Sequence, residues 1–394
     1  MSLNLDKSGW KRVALGDVIR HVTDRVDPET SGLERFLAGE HIPSNSLHIT
    51  DWGVIGRDPI GPMFYKRFRP GHVLYVSRRS YLRKTAVPDF EGITGEKTFV
   101  LETRDPSVLL QEFLPFLLSA DAFHAYAVAN SRGSVNPYIN WGDMANYQLD
   151  LPGLEEQKRL ADLLWAMEIH RRSLVRVRIA VVRERLHAVD RHVHAALGVK
   201  QVPLAAVAEV RGGIQKGKVA RGARVDRPYL RVANVQNGAL NLDEVKTIEV
   251  SEEEAERYAL RAGDVLMTEG GDIDKLGRGA VWREQVEDCL HQNHVFAVRV
   301  RRDIVSPDWI SLHTESSHGR SYFRIAAKRT SNLASVNKSQ VAYFPVGLTP
   351  LDEQRRSVSE IGCFNRAIAS LKKEENAVVA NSSALLRSIC GGDV

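Results

Sequence analysis

The tetrapeptide Leu154-Glu155-Glu156-Gln157 has a near copy 197 positions later, Leu351-Asp352-Glu353-Gln354, and each opens a long run of apolar residues at helical spacing. A period of that length is far beyond the roughly 20–50 residues of solenoid repeats. It predicts that a whole globular unit, followed by a helix, occurs twice. Other anchors agree. Arg69-Pro70-Gly71-His72-Val73-Leu74 answers Arg261-Ala262-Gly263-Asp264-Val265-Leu266 at an offset of 192. Phe99-Val100-Leu101 answers Phe296-Ala297-Val298 at 197, and Ser134-Val135-Asn136 answers Ser335-Val336-Asn337 at 201. An offset that drifts by a few residues is expected where one scaffold carries loops of different length. Most residues between the anchors differ, which suits two related binding surfaces with different targets and equally follows from neutral divergence.

Residues 1–151 alternate short apolar runs with turn signals and predict a mixed, mostly β domain. Its strands are expected at Val13-Ala14-Leu15, Val73–Val76 and Thr98–Leu101, with helix from Val108 to Ala129. Residues 152–198 change to helical periodicity through Leu160, Leu163, Leu164, Met167, Leu174, Val177, Val181, Leu186, Val189, Val193 and Leu197. Pro152 before this run, Glu155 and Glu156 in its first turn and Gly198 after it suit helix polarity. Residues 199–348 repeat the first domain, with strands at Tyr229–Val235, Val245–Val250, Gly263–Met267 and Val295–Val300 and helix from Trp309 to Ala327. Residues 349–394 form the second long helix, with Thr349 as its N-cap and Pro350 at its first position. Its apolar seam includes Val358, Ile361, Phe364, Ile368, Leu385 and Ile389. Each helix either packs on its own domain or pairs with the other in an antiparallel coiled coil, and their length favours the pair. The predicted fold class is α+β, with two mixed, mostly β domains joined by two long antiparallel helices in a pseudo-twofold internal repeat.

No apolar stretch approaches the roughly 20 residues that span a bilayer, and Asp6, Asp17 and Asp24 interrupt the start where a signal peptide would be apolar. A soluble, cytoplasmic chain with no membrane partner is expected. Cys289, Cys363 and Cys390 lack the paired spacing of a disulfide framework or zinc site. The net charge of +5 permits a nucleic-acid partner without requiring one. Local clustering says more: Lys66 to Arg69, Arg78 to Lys84, Arg211 to Arg231 and Lys328 to Lys338 gather Lys and Arg among Gly, Ser, Asn and Tyr. One such cluster is as readily a solvated face as a binding site. Four at related places in two repeats are harder to dismiss as solvated faces.

Three patterns resemble catalytic motifs and fall short of them. Gly212-Gly213-Ile214-Gln215-Lys216-Gly217-Lys218-Val219 fits a phosphate-binding loop until Val219, where a Ser or Thr would hold magnesium. Asn136-Pro137-Tyr138 is similar to the Asn-Pro-Pro-Tyr motif of adenine methyltransferases but lacks one proline, and no Gly-rich turn for S-adenosylmethionine accompanies it. The pairs His291/His294 and His192/His194 have no third ligand nearby. No catalytic, cofactor-binding or metal-binding residues are assigned.

The whole-chain order of domain, Leu-Pro-Gly-Leu-Glu-Glu-Gln, domain, Leu-Thr-Pro-Leu-Asp-Glu-Gln resembles the specificity subunit of type I DNA restriction-modification systems. Gly263-Asp264-Val265-Leu266 and Leu276-Gly277-Arg278-Gly279-Ala280-Val281 add to the resemblance, and the first copy departs from it with His72 for Asp264 and Arg83-Lys84-Thr85-Ala86-Val87 for Gly277 to Val281. The resemblance implies two target recognition domains, each reading one half of a split sequence in double-stranded DNA, with the helices between them. It implies two copies of a methyltransferase (modification) subunit as partners, which a restriction subunit with translocase activity can join. S-adenosylmethionine, ATP and magnesium would then belong to the partners, with no cofactor in this chain. Loops after the strands are expected to contact DNA. In the first domain they carry Arg78, Arg79, Tyr81, Arg83, Lys84, Arg132 and Ser134. In the second they carry Lys216, Lys218, Arg221, Arg224, Lys275, Arg278, Lys328, Arg329, Asn332 and Lys338. Tyr81 fits either a base contact or the core. Lys158, Arg159, Arg171, Arg172, Arg176 and Arg178 on the first helix suit partner or DNA contact, or solvated flanks. A stand-alone DNA-binding regulator with two reading domains and no enzyme partners is the rival reading.

Overall fold

The computed structural model describes residues 5–215, 224–329 and 334–391. It divides into two compact units, residues 1–175 with 373–394, and residues 176–372, so that each long helix contributes to both.

In the first unit a four-stranded antiparallel sheet has the spatial order Ile19–His21, Thr98–Thr103, Val73–Val76, Thr85–Ala86. All four residues of Val73–Val76 are buried. Strand alternation explains this. Val73 and Tyr75 join Leu15, Phe113 and Phe123 on one face, while Leu74 and Val76 join Leu37, Ile42 and Phe68 on the other. The second layer is the sheet Gly53–Val54, Arg35–Leu37, Gly92–Gly95, Phe64–Phe68. Lys11–Ala14 pairs antiparallel with Gln148–Leu151, a clasp that brings the start and end of the domain together just before the long helix.

The second unit repeats this plan. Ala208–Arg211, Val295–Val300, Val265–Thr268 and Gly279–Val281 form a sheet of the same order, and Gln201–Pro203 with Pro345–Gly347 forms the clasp. Gly71 and Gly263, in the turns before the central strands, have φ of +86° and +88°, a region that L side chains avoid. The difference of His72 from Asp264 is a polarity reversal. Asp264, 1% exposed, takes a bidentate bond from Arg299 at 2.8 and 2.7 Å, whereas His72 faces Glu102 at 3.5 Å. In both copies the same side chain also accepts the backbone N–H three residues earlier, from Arg69 at 3.2 Å and from Arg261 at 2.9 Å.

The long helices span Leu154–Val199 and Leu351–Cys390. In the first unit Leu385 and Ile389 from the end of the second helix pack with Leu160 and Leu164 from the start of the first. In the second unit Ile361 packs with Val189 and Val193, and Glu360 holds Arg191 and His192 at 3.1 and 3.0 Å. The helices are therefore antiparallel within each unit. Leu163 and Val177, placed in the seam by the sequence pattern, are exposed, because buried positions at 160, 164 and 174 leave them beside the stripe.

The twin glutamines explain the motif that defines the repeat. Gln157 is fully buried; its amide donates to Val108 O at 2.9 Å and Pro152 O at 2.8 Å, and its oxygen accepts from Leu110 N at 2.9 Å. Gln354, equally buried, donates to Ile304 O at 3.1 Å and Thr349 O at 2.8 Å and accepts from Ser306 N at 3.0 Å. Each pins the first turn of a long helix to the loop ahead of the domain's helices. Thr349 is not an N-cap: its buried hydroxyl has no hydrogen-bond partner among the described residues, and Gln354 holds its carbonyl instead.

Several element boundaries differ from the sequence reading. Leu15 begins a helix, Leu15–Val18, after the strand Lys11–Ala14. The strand expected at Tyr229–Val235 is Arg224–Leu230, followed by a 3-10 turn at Val232–Asn234. The stretch read as helix from Val108 holds the separate helices Leu114–Leu117 and Asp121–Ala129. The one from Trp309 divides into Pro307–Glu315 and Ser317–Ala326, since Ser316 caps the latter by accepting from Gly319 N at 3.1 Å. Finally, Ser134-Val135-Asn136 and Ser335-Val336-Asn337 are not equivalent. Asn337 precedes the helix Lys338–Ala342 just as Asn140 precedes Trp141–Ala145, an offset of 197. Val336 N bonds Glu269 O as Ile139 N bonds Ser77 O, at matching sheet positions.

Candidate nucleic-acid interface

Both units raise the same device at the end of their central strand: a 3-10 turn beside a two-stranded finger. In the first unit Val73–Val76 ends at buried Ser77, whose hydroxyl donates to Lys97 O at 2.8 Å. Arg78 and Arg79 follow, then the turn Ser80–Leu82 and Arg83. Arg79 and Arg83 have φ of +56° and +54°, left-handed geometry that costs a non-glycine residue roughly 1–2 kcal/mol. Specific bonds hold it. Arg79 N donates to Pro137 O at 2.6 Å, Arg79 Nε to Asn136 Oδ1 at 2.8 Å, and Arg83 pairs with Asp121. Strain that the surroundings over-determine is characteristic of functional loops.

The finger is closed by reciprocal backbone bonds between Arg132 and Tyr138, at 2.8 and 2.9 Å, and is bridged to Arg78. Gly133, at φ +95°, makes the bend that begins its tip. The Asn136-Pro137-Tyr138 segment thus serves the finger's architecture. In the second unit Gly270–Gly271 pairs with Ala334–Ser335, which pairs with Lys328–Arg329, and the 3-10 turn is Ile273–Lys275.

The sequence-predicted residues fall on these devices unevenly. Arg78, Arg79, Arg132 and Ser134 come together at the first finger; Arg78 is exposed, and Arg132 meets Asp143 at 3.1 Å. Tyr81, 54% exposed, lies outside the core. Arg83 is held by Asp121, and Lys84 donates to Gly39 O, with burial lowering its pKa. In the second unit Lys275 pairs with Asp272 and Arg278 reaches Gln236 at 3.4 Å, while Lys328 is exposed on the finger. Arg224 lies away from the finger, on a strand paired to Glu249 at 2.8 Å, and Lys338 starts the following helix. Lys216, Lys218, Arg221 and Asn332 lie outside the described residues, and Arg329 is described by its backbone alone. Gly213 has a packing role: a Cβ there would meet His291 O at 2.3 Å.

A basic-aromatic floor beside the first finger escaped the site assignment. Arg25 lies over Tyr65 at 4.7 Å and Lys97 over Tyr138 at 4.8 Å. With His21, Lys66, Asn140 and Trp141 they line a cavity of about 280 Å³. Lys66 is buried, donates to Glu96 O at 2.7 Å and Thr98 O at 3.0 Å, and is pushed down to about 8 by burial. The sequence signal was basic residues interleaved with aromatics in Phe64-Tyr65-Lys66-Arg67-Phe68. His291 is buried against Val295 O, and His294 pairs with Glu269 on the surface; no cluster that could hold a metal ion occurs among the described residues. Nor is any described helix long and apolar enough to cross a membrane.

No family model matches the chain. It is 21% identical over 152 residues to the putative type I restriction enzyme MjaX specificity subunit of Methanocaldococcus jannaschii, covering 38% of this chain and 36% of the relative. It is 25% identical over 183 residues to the type I restriction enzyme EcoKI specificity subunit of Escherichia coli K12, covering 46% and 39%. These matches span well under half of each relative's length. Among solved structures, a chain from a study of complex assembly and conformational transition of a type I restriction-modification system aligns over 98% of both chains with a TM-score of 0.61 and 21% identity. The type I restriction-modification S subunit from M. genitalium aligns over 100% of this chain and 99% of its own, with a TM-score of 0.57 and 12% identity. Several relatives and structural neighbours are thus type I specificity subunits, and the chain has their fold.

Proposed function

We propose that this chain is the DNA-reading, non-catalytic subunit of a type I restriction-modification system. Each unit reads one half of a split target in double-stranded DNA, and the antiparallel helices set the gap between the halves. The chain directs two methyltransferase subunits to that target, and a restriction and translocase subunit can join them. S-adenosylmethionine, ATP and magnesium are used by those partners. The observation that carries this reading is the pair of finger-and-turn devices. One scaffold is repeated, down to its buried Gln157 and Gln354, while the side chains on its fingers and turns differ. Side chains on such elements supply both phosphate contacts, which fix register, and base contacts, which carry sequence information.

The test is methylated-base mapping in cells that express the partner methyltransferase with and without this chain. A split motif whose methylation vanishes without the chain is expected. Methylation that is unchanged by its removal would refute the proposal, and a chain that works alone as a repressor would favour the stand-alone regulator.

A further inference from the structure

Val135 is 84% exposed, the highest value among the large apolar residues described. It stands at the tip of the first finger, between Ser134 and Asn136, where the tertiary structure gives no reason for an apolar side chain. The finger is stiff. Its base is closed by the Arg132–Tyr138 backbone pair, and Pro137 O and Asn136 Oδ1 are both held by Arg79. Stiffness lowers the ordering cost of binding. Arg78 and Arg79 stand at that base and supply positive charge for phosphates, and Arg132, 3.1 Å from Asp143, adds an exposed guanidinium whose charge that carboxylate partly offsets.

Asn136 settles what the tip presents. Its amide oxygen accepts from Arg79 Nε at 2.8 Å, which fixes the orientation of the amide and leaves its NH2 group as the outward hydrogen-bonding group. A donor next to an exposed aliphatic side chain matches the major-groove edge of thymine, which offers the O4 acceptor beside the C5 methyl group. Resting on the DNA-reading function above, we propose that Val135 is a specificity-determining residue that packs on a thymine methyl in the half-site read by the first unit, with the Asn136 amide directed at O4.

The full chain, assembled with its methyltransferase subunits, is titrated with duplexes of the mapped motif in which each thymine is replaced singly by deoxyuridine. Removing the contacted methyl should weaken wild-type binding about fourfold at one position of one half-site, as burial of one such group implies. The Val135→Ala complex should bind thymine and deoxyuridine equally there. Val135→Ala that retains full discrimination at every thymine, or a wild-type complex with none, would overturn the inference. The double substitution Arg78→Ala and Arg132→Ala separates the two levels. If it weakens binding while Val135→Ala leaves discrimination intact, only the thymine contact fails; if it too leaves binding unchanged, the first finger is not a DNA-reading element and both readings fall.

Discussion

Replacing Gln157 by Met keeps the length and flexibility of the side chain and removes its amide. Three backbone groups then lose their partner: the Val108 and Pro152 carbonyls and the Leu110 N–H. The site is fully buried, so water cannot take over these bonds without opening the junction. An unsatisfied buried polar group costs about 1–3 kcal/mol. Three such groups, less the gain from burying a thioether, amount to about 3 kcal/mol. For a unit of this size that lowers the unfolding midpoint by about 6–12 °C. Gln157→Glu is the sharper control. A carboxylate can still accept from Leu110 N, but it turns an oxygen toward the two carbonyls that the amide served, so it should be worse than Met at pH 7. Calorimetry of the full chain reads the midpoint, and hydrogen exchange at Leu110 reads the contact itself. An unchanged midpoint with unchanged protection at Leu110, or a Glu variant more stable than the Met variant at pH 7, would refute the reasoning. Gln354→Met should give the same loss in the second unit, read at Ser306, and the two effects should add because the residues share no partner.

Burial pushes His21 and His124 in the first unit and His313 in the second down to about 4 from 6.5. For His313 complete burial outweighs a bond that works the other way: Nδ1–H donates to Trp309 O, which favours the charged ring, while Nε2 accepts from Gly347 N, which only the neutral ring can do. Between these values the unfolded chain binds more protons than the folded one, so stability should be full above pH 6.5 and decline as the pH falls toward 4. Urea midpoints that stay constant from pH 7.5 to 5 would contradict this. Arg185→Ala strands the buried Glu315 carboxylate, which its guanidinium grips at 2.8 Å, and should cost the second unit about 3–5 kcal/mol in thermal unfolding. The double change of Arg185 and Glu315 to Met should recover most of that loss. Inserting one helical turn into each long helix should alter the mapped gap between half-sites while leaving the bases of each half unchanged.

The duplication and the two long helices were legible because they are written in periodicity and in Gln157 and Gln354, residues that the geometry fixes. The register of the finger was not. Ser134-Val135-Asn136 and Ser335-Val336-Asn337 share residues, yet the structure matches Asn337 to Asn140, since equivalence is set by which backbone groups pair and not by local identity. Side-chain partners were equally hidden. Nothing near Lys84 in the chain announces that Gly39 O, 45 positions away, accepts its hydrogen bond, nor that Asp121 holds Arg83. Lys66 showed the opposite failure: its basic-aromatic neighbourhood was visible in sequence, but only the fold gathers Arg25, Lys97 and Tyr138 around the same cavity.

The central claim, one unit for each half-site, is tested most directly by mapping methylated motifs in cells carrying finger variants of one unit at a time. Arg78→Ala with Arg132→Ala should relax or abolish recognition in one half of the split motif, and Lys328→Ala with Arg329→Ala should affect only the other half. Variants of both fingers that act on the same half, or on neither, would contradict the account.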